Sequence, residues 1–147
     1  MTKILLRPVL DTDLPILFQQ QLDPEAIAMS ADPPRDWGPF MLHWEKIMKD
    51  KAVLIRIIVF KGKVAGHILG WKEGYERRVG YWLGRQYWGR GIASAALAEF
   101  LGQEKNRPLY SYVAINNIAS RRVLEKCGFV MHEQGRKEYV LKLSSEE

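Results

Sequence analysis

The residues most able to do chemistry cluster in "GRQYWGRGIAS", Gly84 to Ser94, where an aromatic run gives way to two closely spaced glycines and then small residues. Glycines ahead of a helix let the backbone close on an anion, because the first N–H groups of the helix are unpaired and lie at its positive end. Three phosphate-binding patterns compete for the segment. Gly84 and Gly89 have P-loop spacing, but Arg90 stands where lysine belongs and Gly91 where a metal-binding hydroxyl belongs, so triphosphate hydrolysis is disfavoured. Gly89 and Gly91 fit the first half of the dinucleotide fingerprint. Ser94 occupies its third glycine position, and the following strand ends in Ala114-Ile115-Asn116 rather than at an acidic residue, which argues against a nicotinamide or flavin enzyme.

The third pattern is Q/R-x-x-G-x-G/A at a strand-to-helix junction, and Gln86-Tyr87-Trp88-Gly89-Arg90-Gly91 matches each of its defined positions. A second motif follows one strand later, "NIASRRVLEKCGF", from Asn117 to Phe129. With Gly80-Tyr81-Trp82 and Trp88 to Ala93 these make the chain similar to the GCN5-related N-acetyltransferases (GNAT) over nearly its whole length. The likeness is strongest to the branch of ribosomal-protein N-terminal acetyltransferases. It implies one N-acetyltransferase domain over 1–147 and acetyl-CoA as co-substrate, with no metal. It also implies an acceptor that is a small-molecule amine or a protein N-terminus. A backbone N–H near Tyr81, Trp82 or Leu83 would serve the oxyanion. Carried over residue by residue, the resemblance gives cofactor contacts to Tyr81, Trp82, Leu83, Gln86, Tyr87, Trp88, Gly89, Arg90, Gly91, Ile92, Ala93, Asn117 and Ser120. Arg85, Arg121 and Arg122 add charge nearby.

The catalytic groups are less defined. Ser120 is the expected partner of the coenzyme A sulfur, and Asn117 is either a helix cap, a ligand contact or both. Where many members of the superfamily carry a tyrosine acid the chain has Leu124, and where relatives of the branch keep a glutamate it has Arg78. Glu73 is the first candidate for a replacement base, with His67 and Glu138 as alternatives. A non-catalytic acyl-CoA-binding module is the alternative that these two departures motivate. Cys127 is read as a buried small residue.

The elements that must position these groups follow from periodicity. Strands are expected at Lys3–Arg7, Val53–Phe60, Val64–Trp71, Val79–Leu83, Pro108–Ala114, Phe129–His132 and Glu138–Leu143. Helices are expected after Asp11 or Thr12, after Asp23 with Pro24 at the first position, over Phe40–Lys49, from the glycine turn to about Glu104, and from Asn117 to Gly128. "KEGYERR" is read as a polar loop and "SADPPRDWGP" as a second loop, which the resemblance to the GNAT superfamily implies is the specificity segment that walls the acceptor site. The order predicts a single-domain α/β fold. Its sheet is mixed and mostly antiparallel, with about seven strands, helices on both faces and a parallel strand–helix–strand unit.

The 147 residues suit one core. A hydrophobic fraction of 47% and a charged fraction of 27% are ordinary for a globular domain. The single cysteine excludes an internal disulfide and fits a cytoplasmic location. The net charge of +5 gathers near the glycine turn rather than in a tail, which suits a local anion site better than nucleic acid or membrane. A monomer or homodimer is expected.

Overall fold

The computed structural model describes residues 2–30 and 33–145. Strand β1 (Leu5–Arg7) leads through a short 3₁₀ turn into helix α1 (Leu14–Gln21), followed by α2 (Pro24–Ala28) and α3 (Trp37–Lys49). Strands β2 (Leu54–Phe60), β3 (Lys63–Glu73) and β4 (Glu76–Leu83) form a meander, and helix α4 (Ile92–Phe100) follows the glycine turn. Strand β5 (Leu109–Ala114), helix α5 (Ile118–Lys126) and strands β6 (Val130–Gln134) and β7 (Glu138–Leu143) complete the chain. The seven strands make one sheet in the order β1-β2-β3-β4-β5-β7-β6, in which only β4 and β5 pair in parallel. This is the expected α/β architecture.

Two cores sandwich the sheet. On one face Ile92, Ala96, Leu97 and Phe100 of α4 and Leu124 of α5 pack on Ile58, Ile68, Val79, Leu109 and Leu141. On the other, Leu14 and Leu17 of α1 and Phe40 and Trp44 of α3 cover Ile55 and Ile57. None of the residues of this second core comes from β4, β5, β6 or β7, so α1 and α3 shield mainly the β2–β3 half of that face, with the end of α1 reaching Trp82 of β4. Phe40 and Trp44 are therefore core residues, while Trp37 at the start of α3 is 45% exposed.

Several boundaries depart from expectation for local reasons. The polar run "KEGYERR" is mostly strand: Lys72 pairs with Arg77 and Glu73 with Glu76, leaving Gly74 and Tyr75 as the turn. A sheet end that faces water tolerates charged residues. Helix α3 begins at Trp37, ahead of Pro39, because proline is accepted within a first turn whose N–H groups lack partners anyway. Helix α1 starts after Asp13, not Asp11 or Thr12. The Asp13 carboxylate instead accepts both terminal nitrogens of Arg7 at 2.8 Å and the Leu10 amide, and the Arg7 guanidinium holds it below the ordinary aspartate range. Helix α4 stops at Phe100, and Glu104 lies beyond it. Ala31 and Asp32 of the expected specificity loop lie outside the described residues.

Candidate active site

Strands β4 and β5 pair only at Arg77–Leu109 and Arg78–Tyr110. Beyond that, five residues of β4 and four of β5 run on without a shared ladder, so the sheet opens into a wedge toward the strand ends. At the vertex the buried Ser111 hydroxyl donates to the Val79 carbonyl at 3.0 Å and stands in for the next ladder bond. The wedge continues into a cleft of about 570 Å³, a size suited to a small ligand or cofactor.

The glycine turn forms one end of this cleft. Gly89 and Gly91 have φ of +73° and +76°, left-handed values that non-glycine residues avoid. A Cβ added to Gly89 would meet nothing within 4 Å, so the space above this peptide is open. Gly91 caps α4, whose first intrahelical bond is that of Ala95 to the Gly91 carbonyl. The N–H groups of Ile92, Ala93 and Ser94 thus lack intrahelical partners and line the cleft at the positive end of the helix. A diphosphate fits this arrangement.

Of the residues expected around the cofactor, Tyr81, Trp82, Leu83, Tyr87 and Trp88 line the cleft, as do Gly89, Gly91, Ile92 and Ala93. Asn117 and Ser120 face them from the start of α5. Trp88 is pinned by its indole N–H, which donates to the Leu83 carbonyl at 3.1 Å. Gln86 and Arg90 are exposed and do not line the cleft. Arg85 pairs with Glu25 at 2.9 Å and Asp23 at 3.5 Å rather than standing free for a phosphate. Arg121 leans toward Glu125 and over the Tyr139 ring.

Ser120 sits within a specific network. The Tyr81 hydroxyl donates to Ser120 Oγ at 2.9 Å. Since Oγ accepts this bond, the serine's own hydrogen is free to point elsewhere. Burial pushes the Tyr81 phenol above its ordinary value, and the bond to Ser120 opposes the shift. Asn117 is the α5 cap, with Oδ1 accepting from the Ser120 amide at 3.1 Å. Its Nδ2 donates to the Met29 carbonyl, and Asn116 Nδ2 donates to that of Ala28 at 2.7 Å. Helix α2 is therefore tied to the end of β4 through Arg85 and to the end of β5 through the asparagines. It spans the wedge like a strap, and its Ala26 lines the cleft, as does Met29 just beyond it.

The three expected replacement bases fare differently. Glu73 pairs with Glu76 across the β3–β4 hairpin, five to seven residues along β4 from Tyr81–Leu83, or roughly 16–23 Å. Its carboxylate lies 4.0 Å from Arg78 with a side chain 59% exposed. The reading of Glu73 as a base in the cleft is thus corrected by the register of the hairpin. Glu138 opens β7 opposite Ala114 and does not line the cleft. His67 is half-buried on β3, and its ring meets the Trp44 ring edge-on at 4.9 Å.

Burial pushes His67 down to about 4, with His43 adding a smaller push in the same direction. The folded chain holds it neutral, whereas the unfolded chain protonates it below its ordinary value near 6.5. The unfolded state binds more protons between these values, so stability falls as pH drops from 6.5 toward 4, by about 3 kcal/mol from this group. Urea unfolding at pH 7 and pH 4.5 is expected to show a pH-dependent loss that is smaller by about 2.5 kcal/mol in His67→Gln. Equal losses in the two proteins would mean that His67 does not titrate this way.

Burial also raises the Cys127 thiol, against a small opposing effect of Lys126, and disfavours the thiolate a covalent acyl carrier needs. Among the described residues no group of three or more His, Cys, Asp or Glu could hold a metal ion, and no helix is long and apolar enough to cross a membrane.

The profile of the acetyltransferase (GNAT) domain family matches residues 3–130. The chain belongs to the GNAT family. Its fold is shared with solved structures of low sequence identity. A domain from Methanocaldococcus jannaschii DSM 2661 superposes with a TM-score of 0.82 at 19% identity, over 99% of this chain and 100% of that one. Spermidine N-acetyltransferase from Vibrio cholerae, in complex with CoA and spermine, gives 0.79 at 17% identity over 95% and 92%. An aminoglycoside acetyltransferase in complex with coenzyme A gives 0.80 at 14% identity over 97% and 95%. No curated protein matches the chain in sequence. As a GNAT acetyltransferase it has a glycine turn legible from sequence. The Tyr81–Ser120 bond and the α2 strap were not, since both join residues distant along the chain.

Proposed function

We propose that the protein transfers an acetyl group from acetyl-CoA to a primary amine, by direct attack and without a covalent enzyme intermediate. The observation that carries this reading is the glycine turn at the start of α4 opening into the β4–β5 wedge. The turn would hold the diphosphate through the N–H groups of Ile92, Ala93 and Ser94, and the apolar side chains of the wedge would take the pantetheine arm. Bound acetyl-CoA supplies an activated thioester, whose carbonyl accepts the amine nitrogen while the C–S bonding pair leaves on sulfur. The chain's contribution on the leaving side is Ser120. Its free hydroxyl hydrogen is placed to go to the departing sulfur, and Tyr81 stands behind it to restore that hydrogen. Tyr81 thereby takes the acid's position left vacant by Leu124, which is buried in the core.

The acceptor is a small-molecule amine or a protein α-amine. The amine-bearing compounds in the names of the solved neighbours support the first, and the "GYW" and "NIASRRVLEKCGF" motifs support the second and the ribosomal-protein branch. A cytoplasmic site of action accords with the lone cysteine.

The reading is tested by following coenzyme A release with acetyl-CoA and a panel of amines, from spermine to a peptide with a free α-amine. Acetyl-CoA binding without transfer to any of them would favour the non-catalytic module, and no binding would remove the reading altogether. Within it, Ser120→Ala and Tyr81→Phe are each expected to lower kcat roughly 10²-fold, the lower end of what proton transfer contributes. The double variant should be little worse than either. Fully multiplicative effects would show that the two residues do not act as a unit.

A further inference from the structure

The acid side of this site has a counterpart on the opposite face of the sheet. Along β4 the side chains alternate. Val79, Tyr81 and Leu83 belong with the α4–α5 core. Glu76, Arg78, Gly80 and Trp82 point to the other face, with Trp82 paired beside His67. On that face α1 and α3 cover β2 and β3, and the end of α1 reaches β4, where the Gln20 carbonyl accepts the Trp82 indole N–H at 3.3 Å. The wedge opens immediately after the Arg78–Tyr110 pair. The first residues flanking it on this face are therefore Gly80, against which the Trp71 ring packs, and Tyr112, whose phenol is the first side chain of β5 beside the wedge there. The leaving sulfur lies toward Ser120 on the helix side.

Tyr112 is held in a fixed pose by charged neighbours. Its hydroxyl donates to Glu76 Oε1 at 2.8 Å. Arg78 donates to Tyr112 Oη at 3.3 Å, and its guanidinium carbon lies 4.0 Å above the ring centre. Arg78 also pairs with the same Glu76 oxygen at 3.0 Å and approaches Glu73 at 4.0 Å. From β6, Glu133 acts electrostatically on the phenol. Further from the wedge, His132 and Lys142 lie against the Tyr110 ring. Tyr112 is 37% exposed.

We infer that Tyr112 and Glu76 form a proton relay that deprotonates the acceptor amine, in place of the glutamate that Arg78 replaces. The inference rests on the acetyl-transfer reading above. In the relay one N–H bond of the incoming ammonium breaks and its electron pair stays on nitrogen. The proton forms a bond to Tyr112 Oη as the original Oη–H bond breaks, and that proton forms a bond to Glu76 Oε1. Glu76, partly exposed, then releases the proton to water. Arg78 takes no proton. It keeps the carboxylate aimed at the phenol and the ring facing the wedge. Tyr112 is the catalytic residue of this relay, and Glu76 and Arg78 act through it.

The test compares wild type, Tyr112→Phe and Glu76→Gln in acetyl-CoA calorimetry and in steady-state kinetics with the same amine panel. Tyr112→Phe keeps the ring beneath Arg78 and removes only the hydroxyl. It is expected to bind acetyl-CoA as wild type does and to lose about 10²-fold in kcat near neutral pH. The loss should shrink as pH approaches the acceptor's own range, about 8 for a peptide α-amine and about 10 for an alkyl amine, where the acceptor arrives already neutral. A structural defect would not be repaired by alkali. Glu76→Gln should show the same pH rescue with a smaller loss. Unchanged kcat in Tyr112→Phe, or a loss equal at every pH, overturns the relay while leaving acetyl transfer standing. Failure of the wild type to bind acetyl-CoA would instead overturn the site itself, and binding with no transfer to any amine would overturn both transfer and relay.

Discussion

Gly89→Glu is expected to abolish acetyl-CoA binding, with an affinity loss of at least about 10³-fold, while leaving the protein folded. A Cβ at Gly89 would meet no protein atom within 4 Å, so the substituted side chain starts out into open space. It would instead put a carboxylate where a diphosphate meets the start of α4. Two unit charges about 4 Å apart repel by roughly 4 kcal/mol in a partly solvated site, which is about a thousandfold in affinity. Gly89→Ala separates the causes. It carries only the backbone cost of φ +73°, about 1–2 kcal/mol, and no charge. It should bind weakly but measurably. Calorimetry with coenzyme A and circular dichroism on the same samples would check both. Retained wild-type affinity in Gly89→Glu would place the phosphates elsewhere.

The second large effect concerns stability. Glu104 is 1% exposed, and its carboxylate anchors the closed end of the wedge. Oε1 accepts Arg77 Nε at 2.7 Å and pairs with a terminal nitrogen at 2.6 Å. Oε2 accepts the backbone amide of Asn106 at 3.2 Å and its side chain at 2.8 Å. The carboxylate lies against Gly70, where any Cβ would collide with it. Arg77 pairs with Leu109 in the only parallel ladder of the sheet, so this cluster joins β3, β4 and the approach to β5. Removing one partner of a buried ion pair costs about 3–5 kcal/mol, since the other charge stays buried without compensation. Glu104→Ala is therefore expected to lose about 4 kcal/mol in denaturant unfolding. A loss below about 1 kcal/mol would show that Arg77 and Asn106 find water instead.

Both effects trace to features of different legibility. Gly89 was marked by its spacing to Gly91 and by the small residues after it. Glu104 read as the polar end of a helix, because nothing local distinguishes a solvated glutamate from one that a distant arginine draws inward. Glu73 failed for a related reason. It follows the strand expected at Val64–Trp71, and the hairpin places it opposite Glu76, at the end of β4 away from Tyr81–Leu83.

The sequence by itself determined the order of the elements and the glycine turn. Strand and helix periods are local, and a glycine turn before a helix carries its own chemistry in the backbone. The tertiary structure alone decided which side chains face one another across the wedge. Tyr81 with Ser120, Tyr112 with Glu76, and α2 with Asn116 and Asn117 are all contacts over long sequence separations. They depend on how far β4 and β5 diverge and which face each residue occupies. The parting of those strands is not written in either strand's pattern. The ladder ends at Arg78–Tyr110, Ser111 bonds across the vertex and α2 bridges the opening, leaving the gap in which an acetyl group would change hands.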